Sequence, residues 1–468
     1  MYNTIKIKGG CQLSVCSQIP LLSKAENTGS YTQYSAEFYA VKPTDFIGLK
    51  PQLLVKETDQ IKAGEALFCD KKHPETLFCS PINGKIVSVK RGENRRLEAI
   101  VISKSNDDSQ KIDIGHQPEQ IKKTLLSCGL ATTIRQRPFA TIANLDQKPK
   151  YIIVKCFDKA PWSLNYAKAI SMFSDNAAKL IYEGAKALSS IYSNHIFFCT
   201  DASLDYKDSF SLLSKEDIEN RATILAFEGK YPASNVSVLI DNIARLKKDE
   251  TVWYIDVQDL LNIGELFASG TLAFKKVICI NGSENNYYLT TQGACVTDLL
   301  KEQGLYDKEH IRFVSGSPLS GSRIGKDEYI SVWDNCLSIM EEGDKKEMFG
   351  WIMPSFSKFS LHRCFLNGFA NLLPCGCKKP IKITANTHGD ERAMVFTDKF
   401  ESLVPLDIYP LHLLKACIIK DIEQMEKLGI LEVAGEDFAL CEVADASKTP
   451  WQAIINEGLE MVRKETEE

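Results

Sequence analysis

Uninterrupted apolar runs mark the middle of the chain. They are YIIVKCF (151–157), HIFFCT (195–200), ATILAF (222–227) and TVWYI (251–255). Runs of this kind are typical of strands buried on both faces of a parallel sheet. Helical patterns such as AAKLIYEGAKALSSIY lie between them. The alternation of strand and helix predicts a Rossmann-like α/β domain over residues 116–272.

The helix after the last of these runs has a predicted start and end. Asp256 is placed to cap it, and Gly270 is placed to stop it. The apolar positions between them share one face, namely 257, 260, 261, 263, 266 and 267. This spacing predicts a helix whose apolar face packs on the sheet.

Residues 38–115 follow another pattern, in which short β-rich runs are broken by Gly, Pro and Asp about every 8 to 12 residues. The pattern is typical of a small barrel. Within it, CDKKHPETLFCSPINGKIVSV resembles the hairpin of lipoyl and biotinyl carriers, which predicts a barrel-sandwich hybrid. The tip from Lys71 to Pro81 is longer than in lipoyl carriers. Biotin carriers have a Met on each side of the modified lysine, whereas neither neighbour of Lys71 is a Met. We therefore expect a carrier-type barrel without a modified lysine, with an acyl carrier as the alternative.

The remaining segments complete a multidomain chain of α/β and α+β parts. For residues 1–37 we expect an N-terminal strand and a mobile arm. For residues 273–348 we expect a β-grasp domain of the SLBB type. Residues 349–468 predict a helical C-terminal domain.

Composition narrows the function classes. The formal net charge of −5 and the pI near 5.9 do not favour a nucleic-acid partner. No uninterrupted apolar stretch is long enough for a transmembrane helix. The 15 cysteines form no Cys-x-x-Cys pair, and no signal-peptide pattern precedes residue 30, so we expect reduced, packed thiols.

Eight stretches in order resemble the A subunits of the sodium-translocating NADH:quinone reductases. They are FIGLKPQLLVKETDQIKAGEALFCDKK, SPINGKIVSVKRGENRRLEAIVI, TIRQRPF, TVWYIDVQDLLNIGELFASG, RFVSGSPLSG, FGWIMPSFSKFS, ERAMV and VPLDIYPLHLLK. The resemblance implies a peripheral subunit on the cytoplasmic face of the bacterial inner membrane. It implies integral membrane partners, chiefly the B subunit, and ubiquinone or menaquinone as the quinone. FAD, FMN, riboflavin and Fe–S centres would then belong to other subunits.

The same resemblance implies a distant likeness to flavin-binding NADH subunits of complex I and Rnf-type enzymes. Those relatives use a glycine-rich loop, because a phosphate must approach backbone N–H groups closely. Here Gly129-Leu130 is followed by no glycine through residue 147. We expect no cofactor bound by this chain, and a flavin-binding NADH dehydrogenase subunit stays the alternative.

At the position of that loop stand Arg135, Arg137, Pro138 and Phe139. The resemblance links this region to quinone binding. A phenyl ring can stack on a quinone, and a guanidinium can donate to its oxygen. The alternative is that the arginines form an interdomain salt bridge.

No catalytic or metal site is expected. The spacing of the C-terminal cysteines requires no cluster of four thiolates. These are Cys364, Cys375, Cys377, Cys417 and Cys441.

Overall fold

The structure is a computed structural model. The residues it describes are 3–13, 15–16, 19, 32–105, 111–112, 114–214, 218, 220–247, 249–283, 286–344, 381–386, 391–394 and 399–467. The early part of the C-terminal region, with Cys364, Cys375 and Cys377, therefore lies outside the described residues.

The N-terminal segment contributes to three different sheets. Its strands are β1 (Asn3–Lys6), β2 (Val15–Cys16) and β3 (Thr32–Gln33). The sequence predicted one strand here, whereas the described residues contain three. The two additional strands are two residues long, too short to produce a periodic pattern that sequence could reveal.

Two small sheets form the barrel-like domain. Its strands are β4 (Phe38–Val41), β5 (Pro51–Leu53), β6 (Gln60–Ile61), β7 (Ala66–Asp70), β8 (Leu77–Cys79), β9 (Gly84–Arg91) and β10 (Leu97–Lys104), with 3₁₀ turns at Pro43–Asp45 and Glu93–Arg95. The sheet orders are β4-β10-β9-β6 and β5-β7-β8. The Phe68 and Phe78 rings, on the paired strands β7 and β8, stack with centroids 4.5 Å apart. Lys71 lies in the exposed turn between β7 and β8.

A seven-stranded sheet forms the centre of the chain. It adds β11 (Arg135–Arg137), β12 (Thr141–Ile142), β13 (Ile152–Lys155), β14 (Ile196–Asp201), β15 (Ala222–Glu228) and β16 (Val252–Asp256). The order is β1-β15-β14-β13-β16-β11-β12. The first five strands are parallel, and β11 and β12 are antiparallel additions. The apolar runs supply its buried strands, as predicted.

Helices cover this sheet. They are Pro118–Ser127, Tyr166–Phe173, Ala177–Tyr192, Val236–Ile243 and Val257–Ser269, with 3₁₀ turns at Leu130–Thr133 and Ser211–Ser214. The predicted caps of Val257–Ser269 are confirmed. The side chain of Asp256 accepts a bond of 2.9 Å from the Gln258 N–H, and Gly270 ends the helix at φ 71°.

A second mixed sheet packs beside the first. It contains β17 (Lys275–Ile280), β18 (Tyr287–Thr291), β19 (Ile311–Ser315), β20 (Ser322–Ile324) and β21 (Cys336–Glu341), with one short helix at Thr297–Glu302. Its order is β20-β19-β21-β17-β18-β3. Strand β3 of the N-terminal segment thus closes one edge.

The described C-terminal residues are mainly helical. Strand β22 (Ile381–Lys382) pairs with β2, and the helices are Pro410–Ile419, Ile422–Lys427, Ala439–Ala444 and Trp451–Glu467, with 3₁₀ turns at Ile430–Glu432 and Gly435–Phe438. Trp451 is fully buried and packs against Phe400 and Phe438. None of the helices in the described ranges is long and apolar enough to cross a membrane.

Candidate functional site

A polar cleft opens at the carboxyl ends of β13 and β16. From β13 the chain proceeds to β14 and β15 on one side, and β16 then returns to the other side of β13. Ligands of open α/β sheets bind where the strand order reverses in this way. Lys155 ends β13 at this point, and Asp256 ends β16.

Three regions of the fold enclose the cleft, which has a volume of about 150 Å³. Its lining residues are Thr133, Arg135, Lys155, Asp158, Ala160, Ser163, Leu164, Tyr166, Tyr231, Asn235, Tyr254, Asp256, Asp259, Gly316, Ser317, Ser320, Trp333, Asp334, Asn335, Cys336 and Glu436. They come from the central sheet, from the second mixed sheet and from the C-terminal helical region.

Carboxylates outnumber cations on the walls of the cleft. Five acidic side chains line it, against the two basic ones, Arg135 and Lys155. Lys155 is neutralised locally, since its Nζ lies 3.1 Å from an oxygen of Asp158. Burial alone would raise the pKa of Asp158, but Lys155 and the Ala160 N–H hold it below its usual range. The field in the cleft therefore opposes the entry of a phosphate group.

A hydrogen-bonded triad joins two domains at the floor of the cleft. The Tyr166 hydroxyl donates to Asp256 at 2.6 Å, and the Asn335 amide donates to both, at 2.8 Å to Tyr166 and 3.1 Å to Asp256. Burial, with Asp256 next to it, raises the pKa of Tyr166 well above its ordinary value. Tyr166 therefore stays protonated and serves as a donor.

Arg135 lies over two aromatic rings on the cleft wall. Its guanidinium carbon is 4.1 Å from the centroid of Trp333 and 4.6 Å from that of Tyr254. The position follows from strand pairing, because Arg135 is opposite Tyr254 in the β11–β16 ladder. Stacking of this kind fixes a planar cation while its N–H groups can still donate to a ligand.

The other three residues of the predicted quinone site face elsewhere. Arg137 is 3% exposed, donates to the Val433 carbonyl at 3.2 Å and lies 3.6 Å from Glu436. Phe139 packs against the C-terminal core. Pro138 does not line the cleft. Of the four residues predicted to bind the quinone, Arg135 is thus the one found among the described residues of the cleft wall. Arg137 makes the interdomain contact that was the alternative for these arginines.

The segment at the position of the expected glycine-rich loop is filled with side chains here. Gly129 adopts φ 82°, and a Cβ there would lie 2.9 Å from that of Cys79 in the barrel-like domain. Residues Leu130–Thr133 then form a buried 3₁₀ turn. This glycine therefore serves domain packing, and the residues present do not fit a phosphate cradle.

The thiols of the C-terminal region are packing groups where they are described. Cys417 and Cys441 are buried, and burial raises the pKa of Cys417 to about 11. Within the described ranges, no three His, Cys, Asp or Glu side chains are arranged to hold a metal ion.

Comparison with known proteins identifies the family. Residues 5–105 match the domain described as "NqrA N-terminal barrel-sandwich hybrid domain", and residues 116–272 match "NqrA second alpha/beta domain". The A subunit of a Na(+)-translocating NADH-quinone reductase from Neisseria meningitidis serogroup A is 32% identical over 98% of this chain and 100% of its own length. The chain belongs to the NqrA family, the A subunits of Na⁺-translocating NADH-quinone reductases. The barrel-sandwich hybrid and the α/β domain predicted from sequence are thereby confirmed.

Other members of the NqrA family match over similar lengths. That of Serratia proteamaculans is 31% identical over 98% of this chain and all of its own, and that of Haemophilus influenzae is 32% identical over 91% and 93%. The crystal structure of a NAD⁺-reducing [NiFe]-hydrogenase aligns over 75% of this chain and 63% of its own, at 10% identity and a TM-score of 0.36. That likeness is too low to support an argument.

Sequence reasoning missed most of the cleft. Asp259, Tyr254 and Trp333 were not nominated. A usable signal was nevertheless present, because Asp256 ends a buried strand and Asp259 lies in the first turn of the helix that follows it. Trp333 and Glu436 carry no local signal, because only the fold brings them to the sheet edge.

Proposed function

We propose that this chain is a peripheral subunit on the cytoplasmic face of a sodium-translocating NADH:quinone reductase, and that its cleft binds the headgroup of ubiquinone or menaquinone. The B subunit and other integral membrane subunits would be its partners. In this proposal the chain has no redox centre of its own, and flavins and Fe–S centres belong to other subunits. The central sheet would be of Rossmann type and the second sheet a β-grasp of SLBB type.

The observation that supports a quinone most strongly is the stacking of Arg135 on Trp333. A quinone is planar, uncharged and carries carbonyl oxygens. It can lie in the cleft beside Tyr166, Tyr254 and Trp333, while the guanidinium held on two of these rings donates to one oxygen.

Charge favours the quinone over flavin and nicotinamide nucleotides. A nucleotide would place phosphate beside Asp158, Asp256 and Glu436 in a cleft where carboxylates are in excess. Like charges at such short range oppose binding. An uncharged quinone avoids this cost, so the same walls discriminate between the two ligand classes.

The test is titration of the full-length chain with a short-chain ubiquinone, followed by calorimetry. Arg135→Ala removes one charge-assisted donor to the quinone oxygen, worth about 1.5 kcal/mol, so the Kd should rise about tenfold. Arg323→Ala is the matched control, since Arg323 is 68% exposed on β20 and should leave the Kd unchanged.

The proposal predicts quinone binding by the purified wild-type chain and no yellow flavin colour. A chain that binds FMN or NADH but no quinone would support the flavin-binding alternative. Equal affinities of Arg135→Ala and wild type for the quinone would remove Arg135 from the site.

A further inference from the structure

The polar cleft adjoins a second, apolar recess. The recess has a volume of about 30 Å³ and lies where the barrel-like domain meets both sheets, with Phe46, Phe78 and Phe274 among its walls. Thr133, Asp259 and Trp333 line both the recess and the cleft. These three residues therefore lie at the boundary between the two spaces.

Asp259 is the buried ionisable group at that boundary. It lies in the first turn of Val257–Ser269 and is 4% exposed. One carboxyl oxygen, Oδ1, accepts a bond of 2.7 Å from the Gln292 side chain. The other oxygen, Oδ2, belongs to a side chain that lines both the cleft and the recess. A carboxyl group buried to this extent is costly to ionise unless charged or hydrogen-bonding groups compensate it.

Three charged groups act on Asp259. Lys276 of β17 and Arg135 of β11 favour its ionised form, and Asp256 at the helix cap opposes it. Burial is the largest effect, and together they raise the pKa of Asp259 to about 7. Lys276 is itself buried and donates to the Val332 carbonyl. Burial lowers the pKa of Lys276, and the attraction of Asp259 opposes that effect without cancelling it. Close to neutral pH the carboxyl can therefore gain or lose a proton.

We propose that Asp259 binds the quinone in its protonated form, donating a hydrogen bond from Oδ2 to a carbonyl oxygen, so that quinone binding takes a proton into the protein. This inference rests on the proposed function, since it specifies how the same cleft holds its ligand. A quinone oxygen accepts hydrogen bonds and cannot donate them, so a carboxylate facing it would be repulsive, whereas a carboxylic acid is complementary.

The surrounding geometry suits this arrangement. The ring would lie in the cleft beside Trp333 and the Arg135 guanidinium, and a ring substituent would enter the recess beside Phe46 and Phe78, whose rings contact each other. Gln292 holds Oδ1 in place, which leaves Oδ2 as the oxygen able to carry the proton toward the ligand.

The first test counts protons on the wild-type chain. Calorimetric titration with ubiquinone-1 in two buffers of different ionisation enthalpy gives the number of protons taken up on binding. Uptake should be small at pH 6, where Asp259 is already protonated, and approach one proton at pH 8. Because a pKa of about 7 controls the reaction, the Kd should rise about tenfold between pH 6 and pH 8.

The second test replaces the titrating group. In Asp259→Asn the amide still donates a hydrogen bond, so ubiquinone-1 should bind with a Kd that does not depend on pH and without proton uptake. Asp205→Asn, at a side chain that is 73% exposed, should behave like the wild type.

The outcomes separate the two proposals. If the wild-type chain binds no quinone at either pH, the proposed function and this inference both fail. If it binds quinone without proton uptake at pH 8, or if Asp259→Asn takes up protons as the wild type does, only the role of Asp259 is refuted. The wild-type proton count decides the matter even if the variant does not fold.

Discussion

Two helices of the central domain approach each other through glycines, and this contact gives a quantitative prediction. Ala177–Tyr192 and Val257–Ser269 pack together at Gly184 and Gly264. A Cβ on Gly264 would lie 1.9 Å from the carbonyl oxygen of Leu180. The obstacle is backbone, so no side-chain rotation can relieve it.

The expected cost of Gly264→Ala follows from that distance. Real Cβ atoms essentially never approach closer than 3.0 Å, so the 1.9 Å contact falls short by 1.1 Å and the helices must separate. Overpacking of this kind costs about 1 to 3 kcal/mol, and a backbone clash belongs at the upper end. Alanine recovers about 1 kcal/mol through its higher helix propensity. The net loss should be about 2 kcal/mol in the free energy of local opening.

Hydrogen–deuterium exchange of the full-length chain measures this directly. Peptides from the two helices should exchange about 30-fold faster in Gly264→Ala than in wild type, because each 1.4 kcal/mol corresponds to a factor of ten. Gly325→Ala is the control, since its Cβ would have its nearest contact at 3.5 Å. Equal or slower exchange in Gly264→Ala would refute the close-packing explanation.

Three further predictions concern other parts of the chain. Arg137→Ala should lower the free energy of unfolding by about 2 kcal/mol, because it removes a charge-assisted bond to the Val433 carbonyl and the contact with Glu436. Thermal unfolding measures this loss, and an unchanged melting temperature would contradict the interdomain role. The raised pKa of Asp259 means that its contribution to stability is full below pH 4 and is lost as the pH rises through about 7. Asp259→Asn should therefore gain stability relative to wild type between pH 5 and pH 8 in urea unfolding, and a constant difference would argue against burial of this carboxyl. The intact mass of the chain should show no lipoyl or biotinyl group on Lys71, whereas an added group would support the carrier alternative.

Sequence patterns predicted the local elements well, and the structure explains why. The cap at Asp256 and the stop at Gly270 act within one turn of the helix they bound, so both were readable from neighbouring residues. Strands β13 to β16 were readable as apolar runs because the sheet buries both of their faces. By contrast, β2 and β3 are each two residues long and are defined by their pairing with the distant strands β22 and β18, so no local pattern reveals them.

The candidate site was less predictable because it is assembled from distant segments. Arg135 and Arg137 are two positions apart on the same short strand, β11. Even so, Arg135 lines the cleft, whereas Arg137 is buried against the C-terminal region. Their different roles depend on Trp333 and Val433, which are hundreds of residues away along the chain. No local pattern distinguishes the two arginines.

Membership of a sodium-translocating NADH:quinone reductase complex is tested most directly by isolating the chain with its partners. The chain would be tagged, purified from detergent-solubilised membranes and examined by mass spectrometry together with an NADH:quinone reductase assay. We predict co-purification with flavin-bearing membrane proteins and an activity stimulated by sodium. Recovery of the chain alone, or with soluble dehydrogenase components and no sodium-stimulated activity, would contradict the proposed function.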